Sequence, residues 1–326
     1  MRDHCCTRRK WLLAIVAGAL GTFGAEQMGY AQGTWTDLAA VPAPTEGMTA
    51  GGVGKVIITA YGASSTGDTN LTRLYDITTD SWSLGSPAPL PARSQAAYGD
   101  ATHAGFLYVI GGGNSGGVLS DLQRYDPVTD TWMTLASMPT ARAGAVAAVV
   151  DSNIFVIGGR LSAAGPCNGG PYLATVEKYD IDTNTWSAVA SLPSPRSDLA
   201  AVAHGGKVFV FGGCTGTASV TSEVDMYNPE TNTWTTGLAP MPTARASLVA
   251  GHSGQRVYAI GGWNGGSAVN VNEVYNIAAN SWSTDTPMPM ARLEVGTHSH
   301  GGRVYVVGGA SPAFGSSTAA NEVFKP

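Results

Sequence analysis

Ala141-Arg142 … Ile154-Phe155-Val156-Ile157-Gly158-Gly159 … Tyr179-Asp180 … Trp186 is one copy of a phrase that this 326-residue chain writes six times. A second full copy runs Ala244-Arg245 … Val257-Tyr258-Ala259-Ile260-Gly261-Gly262 … Tyr275-Asn276 … Trp282. Across the chain the Gly pairs fall at 111–112, 158–159, 212–213, 261–262 and 308–309, after a degenerate Tyr61-Gly62. The tryptophans fall at Trp35, Trp82, Trp132, Trp186, Trp234 and Trp282. Self-similarity at a period of roughly 50 residues marks a radial or stacked repeat architecture.

Each phrase breaks into short pieces. A run such as Val208 to Phe211 or Val304 to Val307, apolar throughout, predicts a strand buried on both faces. The Gly pair then permits a left-handed exit or the close approach of a neighbouring backbone. Tyr125-Asp126-Pro127-Val128-Thr129-Asp130-Thr131-Trp132 and Tyr227-Asn228-Pro229-Glu230-Thr231-Asn232-Thr233-Trp234 each write a turn between aromatics, which predicts a hairpin. A Pro-x-x-Arg segment, as in Pro139-Thr140-Ala141-Arg142, opens the next unit. Every unit is therefore expected to be four short antiparallel strands, with no sustained helical periodicity anywhere in the repeat region.

Gly-Gly, then Tyr-Asp-Pro, then Trp, in register and repeated, resembles the kelch repeat from about Trp35 to the C-terminus. The resemblance implies an all-β, six-bladed kelch-type propeller around a central channel. Both ends of the repeat array are incomplete: Trp35 has no Gly pair before it, and Asn321-Glu322-Val323-Phe324 has no Trp after it. The Trp35 segment is thus expected to supply the outer strand of the last blade, closing the ring and removing an exposed edge. Thr45 stands where the other blades carry Arg93, Arg142, Arg196, Arg245 and Arg292, so the first blade should be the least regular. The arginines themselves are expected to be structural, held by backbone carbonyls and by strand acids such as Glu177, Asp225 or Glu273.

Residues 1–31 form a separate piece with the features of an export signal. Arg8, Arg9 and Lys10 precede an apolar run from Trp11 to Phe23 that is too short and Gly-rich for a good membrane span, and Gly29-Tyr30-Ala31 offers a cleavage site. Thr7-Arg8-Arg9-Lys10-Trp11-Leu12 fits a twin-arginine signal, while an ordinary secretory signal accounts for the same residues. Both routes give a secreted or periplasmic monomer, residues 32–326, with no membrane span after cleavage. Removing two acids and four bases takes the formal charge from −5 to −7. An acidic domain with no basic cluster argues against nucleic acid as a partner. Cys167 and Cys214 then remain, in the loops after the Gly pairs of adjacent blades. A disulfide between them is expected outside the cytoplasm; two free thiols are the alternative.

In ligand-binding kelch propellers, the residue after the Gly pair and the residue after the Arg line the channel mouth. Here these are Ala63, Gly113, Arg160, Cys214, Trp263 and Ala310, and Glu46, Ser94, Ala143, Ser197, Ala246 and Leu293. Candidate ligand-binding groups among and beside them are Arg160, Trp263, Asn264, Glu46, Ser94, Ser197 and Asn114. Trp263 is suited to stack on a sugar face, or to cover a neighbouring loop. Arg160 is suited to clamp a carboxylate, or to pair across the mouth. His103, His204, His252, His298 and His300 recur at one turn position and read as turn residues; His298 and His300 alone share a strand face, without a third ligand. No metal and no cofactor is expected.

Two enzyme families bear on the reading. Galactose oxidases share such blades but need a Tyr cross-linked to Cys plus His ligands, which the cysteine pair leaves no room for. Periplasmic sialic-acid mutarotases are six-bladed kelch proteins of this size that use a Glu base and an Arg; Glu46 with Arg160, or Glu294 with Arg292, would serve. The sequence reading is a binding module for a saccharide or an extracytoplasmic protein, with a sugar mutarotase or epimerase as the alternative.

Overall fold

The computed structural model describes residues 31–326, and the expected export signal lies outside them apart from Ala31. Six four-stranded antiparallel sheets follow one another along the chain. The third is typical: Val146–Val150 is innermost, then Asn153–Ile157, Val176–Asp180 and the outer Thr185–Ala188. Its second strand is buried along four successive residues, Ile154 to Ile157, as a run packed between two neighbouring sheets must be. Val146, Ile157, Leu199, Val208, Val210 and Tyr227 pack the third blade against the fourth, and similar clusters fill the other seams. Among the described residues there is no helix.

Thr34–Asp37 pairs with Asn321–Lys325 and becomes the outer strand of the last sheet, Trp35 opposite Phe324. The ring closes through the two ends of the repeat array, as expected from their incompleteness.

Neighbouring blades are fastened by the repeated aromatics. The Tyr of the third strand donates its hydroxyl to an Asp or Asn five residues on: Tyr75 to Asp80, Tyr125 to Asp130, Tyr179 to Asn184, Tyr227 to Asn232 and Tyr275 to Asn280, at 2.6 to 2.8 Å. That same oxygen accepts the backbone N–H of the preceding blade's exit, as Asn184 does from Ala136 at 2.9 Å. The outer-strand Trp then donates Nε1–H to the same exit, Trp186 to the Ala136 carbonyl at 2.7 Å. The Tyr, turn and Trp of the phrase thus form one clasp between blades.

Each repeat arginine is fully buried and donates to the carbonyl of the first Gly of its pair, at 3.0 to 3.2 Å. Each also pairs with an acid: Arg93 with Asp121, Arg142 with Glu177, Arg196 with Asp225, Arg245 with Glu273 and Arg292 with Glu322. A Cβ on Gly212 would lie 2.3 Å from the Arg245 carbonyl oxygen of the next blade, so this close approach requires glycine. The first blade inverts the arrangement. Thr45 occupies the arginine position, and Arg73 occupies the third-strand position that Glu177 holds in the third blade. Arg73 donates to the carbonyls of Pro42 and Ala43 at 2.9 and 3.2 Å and has no acid partner among the described residues; burial pulls its pKa down to about 10.

Candidate functional site

The two sets of mouth residues are partners. In every blade the residue after the arginine position bridges the residue after the Gly pair: Glu46 with Ala63, Ser94 with Gly113, Ala143 with Arg160, Ser197 with Cys214, Ala246 with Trp263 and Leu293 with Ala310. These bridges bury most of both sets, because each fills the blade end with backbone hydrogen bonds.

One position further on lies a feature absent from the sequence reading. Gly47, Gln95, Gly144, Asp198, Ser247 and Glu294 all adopt left-handed φ, between 50° and 62°. The N–H of each donates to the carbonyl of its counterpart in the preceding blade, with Gly47 donating to Glu294 to complete the circuit, at 2.6 to 3.0 Å. A closed ring of six backbone hydrogen bonds therefore girdles this end of the channel. The available signal was compositional: two glycines and four polar residues at a fixed offset from the arginine. Gln95, Asp198, Ser247 and Glu294 accept the cost of a left-handed backbone.

Their side chains form a buried polar network. Arg160, with no exposed surface, donates Nη1–H to Asp198 Oδ2 at 2.5 Å and Nη2–H to Gln95 Oε1. It also donates to the Ala164 carbonyl, 3.2 Å from Nε and 2.8 Å from Nη2. Gln95 Nε2 and the Tyr98 hydroxyl donate to Glu294 Oε1 at 3.2 and 3.1 Å. Ser197 donates to Asp198 Oδ2 at 2.6 Å. Burial, with Glu46 and Asp198 nearby, pushes the Glu294 carboxyl up to about 8, so it holds its proton at neutral pH. Burial also raises the Glu46 pKa; Glu46 accepts the Gly315 N–H at 2.8 Å through Oε1, while Oε2 has no partner among the described residues.

Loops roof this network. The insertion after Arg160 runs over the mouth: Ala163 sits where a side chain on Gly113 would go, and Cys167 is disulfide-bonded to Cys214 of the next blade, Cα atoms 5.2 Å apart. Trp263 packs half-buried against the disulfide and against Phe314, ring centroids 5.8 Å apart. Asn264 is exposed, its Oδ1 accepting the N–H groups of Gly266 and Ser267 at 3.0 Å. Asn114 caps its own loop through Gly116 and reaches the Ala92 carbonyl at 3.0 Å. The structure thus gathers Arg160, Ser94, Ser197 and Glu46 around the ring, leaves Asn114 and Asn264 in separate loops, and turns Trp263 to the roof. Arg292, paired with Glu322 inside its blade, does not meet Glu294 as a catalytic partner would.

The opposite mouth collects the histidines. Asp100 and His298 are joined there at 2.5 Å, and His204 and His252 lie with ring centroids 6.1 Å apart. Among the described residues no group of three metal-ligating side chains is placed to hold a metal. None of these residues belongs to a helix apolar and long enough to cross a membrane.

Six four-stranded blades, five of them with the buried Arg and Gly pair and five with the Tyr–Trp clasp, define a repeat-propeller class. The model of the KLHDC2/KLHL20/DRC7 Kelch-repeats domain matches residues 137–309, and the Kelch motif matches 96–139. The chain belongs to the kelch-repeat family. It is 31% identical over 162 residues to human Kelch-like protein 23, covering 49% of this chain and 26% of that protein. It is 37% identical over 131 residues to Kelch-like protein 25 of Xenopus tropicalis, covering 39% and 22%. The aligned part thus spans about a quarter of the length of these relatives. Among solved structures it is similar to YjhT, with TM-score 0.75 and 20% identity over 87% of this chain and 95% of that one, a likeness of fold. Kelch-repeat propellers generally serve as protein-interaction modules.

Proposed function

We propose that the protein is a kelch-repeat interaction module that docks an extracytoplasmic protein on the roofed face of the propeller. The observation that carries this is the closure of that face. Arg160, which an open mouth would offer to a carboxylate, has no exposed surface and already holds Asp198, Gln95 and the Ala164 carbonyl. What the face offers to a partner is its roof: a loop pinned by Cys167–Cys214, the exposed Leu161 on that loop, and Trp263 packed against the disulfide. A loop already ordered loses little entropy on binding. Export under the residues 1–31 signal suits the disulfide, and a saccharide carried by the partner is a further surface such a roof would meet.

The test is capture of extracytoplasmic proteins by the purified chain, compared with Leu161→Glu and Trp263→Ala variants. A partner retained by wild type and lost from both variants, with unchanged melting, supports the reading. A partner retained equally by all three overturns the assignment to this face.

A second reading rests on Glu294. A buried carboxyl tuned to about 8, bonded to Tyr98 and Gln95 and one residue removed from Arg160, has the tuning of a general acid–base in sugar mutarotation or epimerisation. It requires the roof to open. Accelerated anomeric exchange of free sugars or sialic acids, abolished in Glu294→Gln, would favour this reading over the first.

A further inference from the structure

The end of the channel opposite the roof holds a cavity of about 190 Å³. Asp100, Thr102, His252, Thr297, His298 and Ser299 are its polar lining, against walls of Ala201, Ala203 and their neighbours. Its construction depends on irregularities in the first two blades. At Tyr98 the second blade leaves its own ladder and pairs with the third: Tyr98 N–H donates to the Ala145 carbonyl at 3.0 Å, and Ala147 N–H to the Tyr98 carbonyl at 2.7 Å. Two residues on, beyond Gly99, Asp100 lines the cavity. His298 reaches it from the last blade across the innermost strand of the first, Thr49–Val53. That crossing is possible because Gly51 and Gly52 lie beneath it. A Cβ on Gly52 would fall 2.1 to 2.4 Å from Nε2, Cδ2 and Cε1 of His298, near-equal distances that place the imidazole face over the glycine. A Cβ on Gly51 would fall 2.9 Å from Asp100 Oδ1.

This geometry leaves one edge of the ring free. Asp100 accepts the proton on His298 Nδ1 through Oδ2, while Thr102 donates to its Oδ1 at 2.6 Å. An ionised carboxylate at Nδ1 selects the tautomer whose Nε2 carries a lone pair. Nε2 has no hydrogen bond to any described residue, although the side chain is nine-tenths buried and lines the cavity. Ser299 Oγ accepts the His252 N–H at 3.0 Å, so its own proton is available as a donor. Burial, with His204 and His298 nearby, lowers the pKa of His252.

We infer that this cavity binds a small neutral polyhydroxyl molecule, with His298 Nε2 accepting from one of its hydroxyls and Ser299 donating to another. No lysine or arginine lines the cavity, so an anion finds no counter-charge, and the Asp100 charge is already answered by His298 and Thr102. The alanine walls suit the C–H face of a single ring, and the volume suits one ring rather than a chain. This site lies at the opposite end from the face assigned above and stands or fails independently of it.

The experiment is saturation-transfer NMR of the full chain with D-galactose, N-acetylglucosamine and myo-inositol. His298→Ala removes the acceptor; His298→Gln restores an acceptor of similar reach; Ala203→Leu fills the wall without touching the Asp100–His298 pair. The expected result is transfer to at least one probe, weakened about tenfold in affinity by His298→Ala, largely restored by His298→Gln and lost in Ala203→Leu. No transfer from any of the three probes, or transfer indifferent to His298→Ala and Ala203→Leu, overturns the inference. So does zinc binding that His298→Ala abolishes in a protein no sugar contacts, since the lone pair would then serve a metal.

Discussion

The two ends of the channel use similar groups in opposite ways. At the roofed end Arg160, Asp198, Gln95, Tyr98 and Glu294 bond one another and leave no exposed surface on the arginine or Asp198. At the other end Asp100 and His298 make one bond, Asp100 keeps about a third of its side-chain surface exposed, and His298 keeps a free ring nitrogen. The difference follows from chain geometry. The blade phrase places the loops between second and third strands over one mouth and the two-residue turns between first and second strands over the other, and only long loops can fold back as a roof. Polar groups under a roof must satisfy each other; those in an open mouth can wait for a ligand.

The contrast is most sharply tested at Asp198. Replacing it by Ala leaves the Arg160 guanidinium buried without its carboxylate, and a broken buried pair costs about 3–5 kcal/mol. Urea denaturation followed by tryptophan fluorescence should show a loss of that size, partly recovered when Arg160→Met is added. A loss below about 1 kcal/mol would mean that water reaches Arg160 and that the mouth is open.

Glu294 gives the next largest effect, with a definite sign. Its carboxyl is raised to about 8 in the folded protein from an ordinary value of 4.5. Between those values the unfolded chain has lost the proton that the folded chain keeps, so the folded state binds more protons and stability falls as pH rises through the window. The total is on the order of 5 kcal/mol, fully present below the lower value and lost above the upper. Glu294→Gln should flatten the stability profile between pH 5 and 8 by that order. An unchanged slope would show that Glu294 is ionised and solvated, which would remove the basis of the acid–base reading.

The roof itself depends on Cys167–Cys214. Reducing that bond, or replacing both cysteines by serine, frees a loop closed across 47 residues and should cost about 2–4 kcal/mol. More tellingly, amide exchange should accelerate in residues 161–173 and over Trp263, while the strands of the open mouth stay protected.

Much of this architecture was legible because it repeats. Gly-Gly, Tyr-Asp-Pro and Trp recur for a steric or hydrogen-bonding reason that the blades share, so the hairpins, the buried arginines and the closure by Trp35 could be read from the repeat, whereas the clasp between blades could not. The ring through Gly47, Gln95, Gly144, Asp198, Ser247 and Glu294 was not recognised, because its bonds are main-chain and its side chains vary. Arg73 was equally silent: a charge moved from the segment before the first strand to the third strand is visible only when strands are in register. The Asp100–His298 pair rests on a broken ladder at Tyr98 and two glycines in another blade, three irregularities that no repeat pattern joins.

The open mouth should answer the smallest change with the smallest effect. Asp100→Asn keeps an oxygen to accept the His298 Nδ1 proton but removes the charge. Because Asp100 is a third exposed, solvent screens most of what its charge contributes, and the stability change should stay below about 1 kcal/mol. The tautomer preference of His298 should nevertheless weaken, since a neutral amide holds an imidazole N–H less strongly than a carboxylate does. Nitrogen-15 shifts of the ring would report this as a mixture where the wild type shows one form. If Asp100→Asn instead destabilises the fold as much as Asp198→Ala, then the strap across Gly51 and Gly52 holds the first blade in the ring, and the open mouth is as structural as the roofed one.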